Sequence, residues 1–264
     1  AHMPATGVSG LDLYVKKDGR WIWLANGRPN ATTMQATLVS GIPEGTHEYL
    51  LYLPLYNGVT SVHIGIKPGA QMFAAERPDA KQKPILFWGT SILQGGCAAR
   101  PGMAYPSIIG RMMDRPTINL GFSGNGQMEP EMATFIGELD PAMFVVDCCP
   151  NLQPDEIAAR TEPMVQILRE ARPETPIVLV ENIIYQEGYF LPSVRESYEK
   201  KNAGLKAAYE RLLAAGVTSL LYFPCDNLLG DDVECTVDGT HATDLGFLRM
   251  AQAITPYLTR ILGE

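Results

Sequence analysis

The chain has 264 residues, of which 46% are hydrophobic and 19% charged, as is typical of a globular protein with one large domain or two smaller ones. Its 29 acidic residues outnumber its 21 basic ones, giving a net charge of -8, and the basic residues are scattered, so we expect no nucleic-acid partner. No run of about 18 apolar residues is present, which argues against a membrane span.

The first residues resemble a cloning remnant, because Met3 follows Ala1 and His2. We therefore interpret residues 1–6 as an N-terminal tail and expect a signal peptide to have been removed, which predicts a periplasmic or secreted protein. The cysteines are odd in number and form no CxxC pair, so neither a disulfide framework nor a zinc site is indicated. They are Cys97, Cys148, Cys149, Cys225 and Cys235.

Residues 7–80 have the pattern of short strands separated by Gly, Pro and Asn. The candidate strands are LDLYVKKDG, WIWLANG, ATLVSGIPEG, EYLLYLPLYNG and TSVHIGIKPG, and no convincing helix interrupts them. The charged stretch AAERPDAKQKP that follows has the composition of a linker. The sequence thus predicts an all-β domain over 7–80.

From residue 81 to 264, apolar strands alternate with helical segments. The predicted strands are 84–89, 117–121, 142–147, 176–182 and 218–223, and the predicted helices lie near 103–113, 129–138, 155–171, 194–215 and 243–262. This alternation predicts an α/β domain with a parallel sheet covered by helices on both faces. Ligands of such sheets bind at the carboxyl ends of the strands.

Residues that could perform acyl chemistry follow these strands in order. Ser91 stands in FWGTSILQGG, Gly124 in NLGFSGNGQ, Asn151 in VVDCCPNLQP, and Asp238 with His241 in DGTHATDLG. A nucleophilic serine needs a base within hydrogen-bond reach, and the base needs an orienting carboxylate. Backbone N–H groups and a side-chain amide can then stabilise the oxyanion.

Each of these residues also has a structural explanation when taken alone. Ser91 could belong to a helix cap, Asn151 to a cap or turn, and the GFSGNG segment to a simple strand-to-helix loop. The pair of Asp238 and His241 could be a hydrogen-bonded turn. Their common position after strands of one sheet favours a catalytic site.

These blocks resemble the SGNH hydrolases, also called GDSL-type esterases and lipases, over residues 84–262. GTSI, GFSGNG, CCPN and the final DGTH resemble the four family blocks. The resemblance implies a three-layer αβα, flavodoxin-like fold with a five-stranded parallel sheet. It implies Ser91 as nucleophile, His241 and Asp238 as the other catalytic residues, and the oxyanion donors Ser91, Gly124 and Asn151.

Two positions depart from the family pattern. GTS replaces the more familiar Gly-Asp-Ser, which removes a carboxylate beside the nucleophile, and Ala242 replaces the proline that commonly follows the histidine. The N-terminal GLDLY (10–14) and YLPLYNGV (52–59) resemble the small β-sandwich preceding the catalytic domain in a bacterial subset of these esterases. That subset is similar to enzymes that remove acyl groups from polysaccharides.

Residues after the second and fourth α/β strands are candidates for substrate binding. They are Asn125, Tyr185, Tyr189 and Phe190. The three aromatic residues could equally close the hydrophobic core.

The leading prediction is a serine esterase that hydrolyses short acyl esters, acetyl esters above all, on a carbohydrate, without a metal or organic cofactor. Two alternatives stay open: an acyltransferase that moves the acyl group to a sugar or another alcohol, and a catalytically inactive carbohydrate-binding protein. The expected partner is a small-molecule or polysaccharide ester, and the oligomeric state is left open.

Overall fold

The structure is a computed structural model that describes residues 2–226 and 228–264. Its larger part is a five-stranded parallel sheet with strand order β5-β4-β6-β7-β8. The strands are β4 (Ile85–Gly89), β5 (Thr117–Gly121), β6 (Met143–Asp147), β7 (Ile177–Val180) and β8 (Leu220–Phe223). The helices of this part are α2 (Ser91–Gln94), α3 (Tyr105–Met112), α4 (Pro130–Gly137), α5 (Pro154–Ala171), α6 (Pro192–Ala214) and α7 (Asp244–Leu262).

Helices cover both faces of the sheet, and this explains the uninterrupted apolar sequences of its central strands. Every residue of β4, β6 and β7 is buried. Because successive side chains of a strand point to opposite faces, Phe87 packs with Phe247 in one core while Trp88 packs with Phe144 in the other. The predicted α/β fold with a five-stranded parallel sheet is confirmed.

The N-terminal part forms a three-stranded antiparallel sheet with strand order β2-β1-β3. Its elements are the single-turn helix α1 (Ala5–Val8) and the strands β1 (Leu11–Lys17), β2 (Arg20–Gly27) and β3 (Tyr49–Tyr52). Three of the five predicted strand segments therefore contain strands. A second sheet, which a sandwich requires, is not among the described strands, so the sandwich and the domain boundary near residue 80 remain predictions.

Two predicted strands do not form. The segments 36–45 and 60–69 carry no strand in the described chain, and most of their residues are exposed. A strand needs a neighbour for its backbone hydrogen bonds. β1 is already paired on both sides, by β2 and β3, and neither segment is paired to the free edges of those strands.

The two parts of the molecule meet at Asp12, a fully buried residue of β1. One carboxylate oxygen accepts hydrogen bonds from the Arg100 guanidinium at 2.7 Å and from the Gly102 N–H at 2.8 Å. The other oxygen accepts one from the Trp23 indole at 2.8 Å. The GLDLY segment therefore provides the contact between the small sheet and the loop that follows α2.

Within the described residues, no helix combines the length and the apolar character that crossing a lipid bilayer would require.

Candidate active site

Ser91 lies at the carboxyl end of β4, as the first residue of the one-turn helix α2. The helix is capped by Thr90, whose hydroxyl accepts the Ile92 N–H at 3.3 Å. The cap predicted for this segment is therefore Thr90, which leaves the Ser91 hydroxyl free for another partner. At the first helical position the Ser91 N–H has no intrahelical acceptor.

That partner is His241, whose Nε2 lies 2.9 Å from Ser91 Oγ. On the other side of the ring, Nδ1 lies 2.8 Å from Asp238 Oδ2. With Nδ1 protonated, Nε2 is left as a proton acceptor facing the serine. The three side chains form one hydrogen-bonded chain between segments far apart in sequence.

A tight turn sets the position of His241. A short bridge pairs Thr236 with Ala242, and Gly239 at the tip has φ of +87°, a conformation that favours glycine. Asp238 Oδ1 accepts the His241 N–H at 2.8 Å, so the carboxylate holds the backbone and the ring of the same residue. Ala242 is fully buried, and the turn forms without the proline of the family pattern.

These hydrogen bonds favour the charged form of Asp238. Burial raises the pKa of this carboxyl, but the backbone and ring N–H groups of His241 and the Thr240 N–H outweigh burial and leave the pKa below its usual value. Asp238 is therefore ionised at neutral pH and can stabilise a positive charge on the imidazole.

Gly124 and Asn151 lie on the two loops beside Ser91. Gly124 has φ of +73°, and the space where a side chain would stand is open. The Asn151 amide donates a long hydrogen bond of 3.4 Å to the Phe122 carbonyl, which places it against the Gly124 loop. The two predicted donors thus share one edge of the sheet with Ser91.

Glycines let β5 and the Gly124 loop approach β4 and α2 closely. A methyl group on Gly126 would lie 1.9 Å from the Gly89 carbonyl oxygen, and one on Gly121 would lie 2.2 Å from the Gln94 backbone nitrogen. Neither position tolerates a side chain without moving backbone. Gly121 and Gly126 are therefore required by packing around Ser91, in addition to any role of Gly124.

Three further side chains support the backbone around Asn151, two of them directly and one through Gln127. Gln127 donates its amide to the Asn151 carbonyl at 3.3 Å, and Arg160 in turn donates to the Gln127 carbonyl at 3.1 Å. Lys201 of α6 donates to the carbonyl of Pro150 at 3.0 Å. None of the three was identified from the sequence, because such contacts join residues on separate elements.

The predicted substrate-binding residues lie in different environments. Asn125 is exposed and donates its amide to the Ser123 carbonyl at 2.9 Å. Tyr185 packs against the core and donates to Asn182 at 3.0 Å, which matches the core-closing alternative. Tyr189 lines a cavity of about 330 Å³, and Phe190 is 87% exposed. Their role in substrate binding remains a prediction.

Tyr56 approaches the same site from the N-terminal part and was not identified from the sequence. A methyl group on Gly96 would lie 2.9 Å from the Tyr56 hydroxyl and 3.3 Å from Cδ2 of His241. The only sequence signal was the YLPLYNGV block itself, which we interpreted as part of a separate β domain.

The cysteines do not supply a nucleophile. All five are free and buried. Burial raises the pKa of the Cys148 and Cys149 thiols well above the usual value, which keeps both protonated. These two residues pack in the core beneath the Asn151 loop.

One group of side chains in the described chain has the spacing of a metal site. His2, Asp238 and His241 each offer a ligand atom, and these atoms lie within 4.8 Å of one another. A cation bound there would displace the hydrogen bond between Asp238 and His241.

Comparison with protein families gives two matches. Residues 82–259 match the GDSL-like lipase/acylhydrolase family, and residues 1–72 match the N-terminus of SGNH-hydrolase-type esterases, known as GxDLY. A search of curated proteins found no significant match.

Several solved structures are similar to this chain. A GDSL-like lipase from Bacteroides ovatus is 40% identical, with a TM-score of 0.94 over 99% of this chain and 77% of that one. The salicylyl-acyltransferase SsfX3 from a tetracycline biosynthetic pathway is 20% identical, with a TM-score of 0.74 over 96% and 73%. A family two carbohydrate esterase from Clostridium thermocellum, in complex with cellohexaose, is 17% identical, with a TM-score of 0.66 over 98% and 88%.

Proposed function

Since the chain belongs to the GDSL-like lipase/acylhydrolase family of SGNH hydrolases, we propose that it is a serine esterase that removes short acyl groups, acetyl above all, from a carbohydrate. The observation that carries the proposal is the continuous hydrogen-bonded chain from Ser91 through His241 to Asp238. A protein that only bound carbohydrate would have no use for this chain, which argues against the inactive alternative.

In the proposed reaction, Ser91 Oγ attacks the ester carbonyl carbon while Nε2 of His241 takes the hydroxyl proton. The tetrahedral intermediate collapses with cleavage of the bond to the alcohol oxygen, and His241 returns the proton to the leaving alcohol. Water then attacks the acyl-enzyme with His241 again as base, which releases the acid and restores Ser91. Asp238 orients the ring and stabilises its charged form in both steps.

The negative charge of each tetrahedral intermediate falls on the former carbonyl oxygen. We assign its stabilisation to the N–H groups of Ser91 and Gly124 and to the side-chain amide of Asn151. One such donor is typically worth about 10² to 10³ in rate. The fixed loops around Ser91 support this assignment, because donors held in place need no reorganisation during the reaction.

The carbohydrate part of the proposal draws on similarity to other proteins. The Clostridium thermocellum structure is a carbohydrate esterase bound to cellohexaose, and the N-terminal match extends the resemblance to the small sheet. A polysaccharide substrate also fits the expected periplasmic or secreted location, which fractionation of cells expressing the native gene would test.

The serine assignment is tested by Ser91→Ala with an aryl acetate as substrate. We expect kcat to fall by about 10⁴-fold or more, because the nucleophile is lost while binding is kept. Ser40→Ala, at an exposed serine of the N-terminal part, is the matched control and should keep full activity. Undiminished turnover by Ser91→Ala would refute the assignment.

The substrate assignment is tested by acyl esters graded by chain length alongside acetylated polysaccharides. We expect the highest kcat/KM for acetyl esters and release of acetate from the polysaccharide. A preference for long acyl chains would contradict the proposal.

The second candidate function is acyl transfer to an alcohol, favoured by the similarity to the salicylyl-acyltransferase. The same acyl-enzyme would serve if an alcohol reached it before water. Product analysis with added sugar separates the two, since a transferase forms the new ester in preference to free acid.

A further inference from the structure

The segment after β3 folds back over α2 and is held there at both ends. The backbone N–H groups of Leu55 and Asn57 donate to the carbonyls of Gly7 and Val8 at 3.1 and 3.0 Å, which ties the segment to α1. On the other side, the Gln94 amide donates to the Leu55 carbonyl at 3.0 Å. A residue of this segment therefore has a fixed position relative to Ser91.

Gln94 also connects this segment to the loop of the candidate oxyanion donor. Its side-chain oxygen accepts the Ser123 N–H at 3.0 Å, while its amide holds Leu55. One side chain thus bridges the N-terminal segment and the residue before Gly124. The N-terminal segment therefore lies against α2, the helix that begins with Ser91, and is tied to the Gly124 loop.

Tyr56 places its hydroxyl close to the candidate catalytic residues. A methyl group built on Gly96 would lie 2.9 Å from the Tyr56 hydroxyl, 3.1 Å from the Ser91 carbonyl oxygen and 3.3 Å from Cδ2 of His241. The phenol hydroxyl, the Ser91 backbone carbonyl and the edge of the imidazole therefore pack around Gly96, and this close approach is possible only because Gly96 has no side chain.

Tyr56 lies near Cδ2 of His241, which is bonded to Nε2, the atom that protonates the leaving alcohol in the proposed reaction. The phenol hydroxyl is therefore close to the place where the alcohol part of the ester leaves. Burial raises the pKa of Tyr56, and a hydrogen bond with the Ser123 side chain lowers it by a smaller amount. The phenol is therefore neutral at neutral pH and can donate a hydrogen bond. An alcohol with additional hydroxyl groups offers acceptors beside its ester oxygen, whereas a simple alkyl alcohol offers none.

We propose that Tyr56 contacts the alcohol part of the ester and, through a hydrogen bond from its hydroxyl to a substrate hydroxyl, gives the enzyme its preference for polyhydroxylated leaving groups. This inference rests on the proposed esterase function. It makes the N-terminal part a contributor to substrate choice, in addition to its structural contact with the catalytic part.

The test compares two acetyl esters that differ only in their alcohol, glyceryl monoacetate and ethyl acetate. In Tyr56→Phe we expect kcat/KM for glyceryl monoacetate to fall about tenfold, the usual effect of one lost hydrogen bond, and kcat/KM for ethyl acetate to stay within a factor of two. Tyr49→Phe, at an exposed tyrosine of β3, should change neither value.

Equal losses on both esters would overturn the proposal, because Tyr56 would then serve the catalytic groups and not the alcohol. No loss on either ester would overturn it as well. These outcomes differ from failure of the esterase function, which is recognised by turnover that survives in Ser91→Ala.

A second measurement does not depend on turnover. In the Ser91→Ala background, saturation-transfer NMR with methyl xyloside should show contact of the sugar protons with the protein, and Tyr56→Phe should remove most of this signal. An unchanged signal would count against Tyr56 as the contact.

Discussion

Asp147 is a buried carboxyl of the catalytic part whose surroundings shift its pKa. This carboxyl ends β6 and is almost fully buried. Tyr105 donates to one oxygen at 2.7 Å, and the other oxygen has no hydrogen-bond partner among the described residues. Burial raises the pKa of Asp147 to about 6, although the Tyr105 hydrogen bond opposes it. Keeping this side chain buried therefore costs more free energy when the carboxyl is charged than when it is protonated.

The sign of the resulting pH dependence follows from proton binding. The unfolded chain releases the Asp147 proton near pH 4, whereas the folded protein keeps it up to about pH 6. Raising the pH through this window therefore favours unfolding, by about 3 kcal/mol for a shift of roughly two pKa units. The contribution is present in full below pH 4 and is lost above pH 6.

We predict that Asp147→Asn flattens the decline of the unfolding free energy between about pH 3 and pH 7. Urea unfolding at several pH values measures this slope in the variant and the wild-type protein. The variant should lose about 3 kcal/mol less across the window, because its amide does not titrate. Glu210→Gln, at an exposed position of α6, should keep the wild-type slope. Coincident slopes for Asp147→Asn and wild type would refute the prediction.

At the scale of elements, α6 supports the loop that follows β6. Lys201 is 5% exposed, and its ammonium donates to the Pro150 carbonyl and lies 5.7 Å from the centre of the Tyr185 ring. Burial lowers the pKa of this amine. A buried ammonium directed at a carbonyl fixes the turn Cys149–Asn151, and so fixes where the Asn151 amide points.

We predict that Lys201→Met lowers kcat about 10- to 100-fold with little change in KM, because a small displacement of an oxyanion donor acts on the transition state. Lys200→Met is the matched control, since the neighbouring lysine is exposed and pairs with Glu196 on the surface. Steady-state kinetics of both variants gives the separation of kcat from KM. A loss of thermal stability with unchanged kcat would show that Lys201 has a structural role alone.

The elements differ in how well the sequence specifies them. β4 and β6 were predictable because a short, continuous apolar run between turn signals is typical of a strand buried on both faces. The segment 60–69 has the alternation of a strand, but a strand also needs a partner, and pairing is set by residues distant in sequence. The contacts of Lys201 and Tyr56 escaped prediction for the same reason.

The residues of the candidate site also differ in how well the sequence predicts their positions. The carboxyl-end rule places Ser91 and Asn151 on one edge of the sheet, and the structure brings them there with the pair of Asp238 and His241. Hydrogen bonds within the DGTH turn are local, so spacing alone predicts them. The position of Tyr56 near His241 depends on how the N-terminal part docks, and residue spacing contains no information about docking.

On the scale of the whole molecule, this docking depends on the buried charge of Asp12. Its partner Arg100 belongs to the catalytic part and is itself 24% exposed at the side chain. Gly102 allows the close approach, since a methyl group there would lie 2.5 Å from the Tyr14 ring and 2.6 Å from the Asp12 carboxylate. The contact at Asp12 therefore connects the small sheet to the loop between α2 and α3, next to the candidate active site.

We predict that Asp12→Asn destabilises the protein by about 3–5 kcal/mol, because it leaves the Arg100 guanidinium without its buried counter-charge. Urea unfolding followed by tryptophan fluorescence and by circular dichroism measures the effect. Replacing both residues, as Asp12→Asn with Arg100→Met, should cost less than the sum of the single changes, since the two residues share one interaction. Asp140→Asn, which breaks an exposed ion pair with Lys83, should change little and serves as the control.

The same measurement shows whether Asp12 holds the two parts of the molecule together or only makes an ordinary core contact. If Asp12 holds the two parts together, the wild-type protein unfolds in one transition, and Asp12→Asn separates the loss of the N-terminal sheet from the loss of the parallel sheet. The preference for glyceryl monoacetate over ethyl acetate should then disappear with the first transition, because Tyr56 leaves the site and the hydrogen bond from Gln94 to Leu55 breaks when the N-terminal part undocks. A single transition in the variant, with the preference lost only at global unfolding, would contradict this coupling of substrate choice to docking.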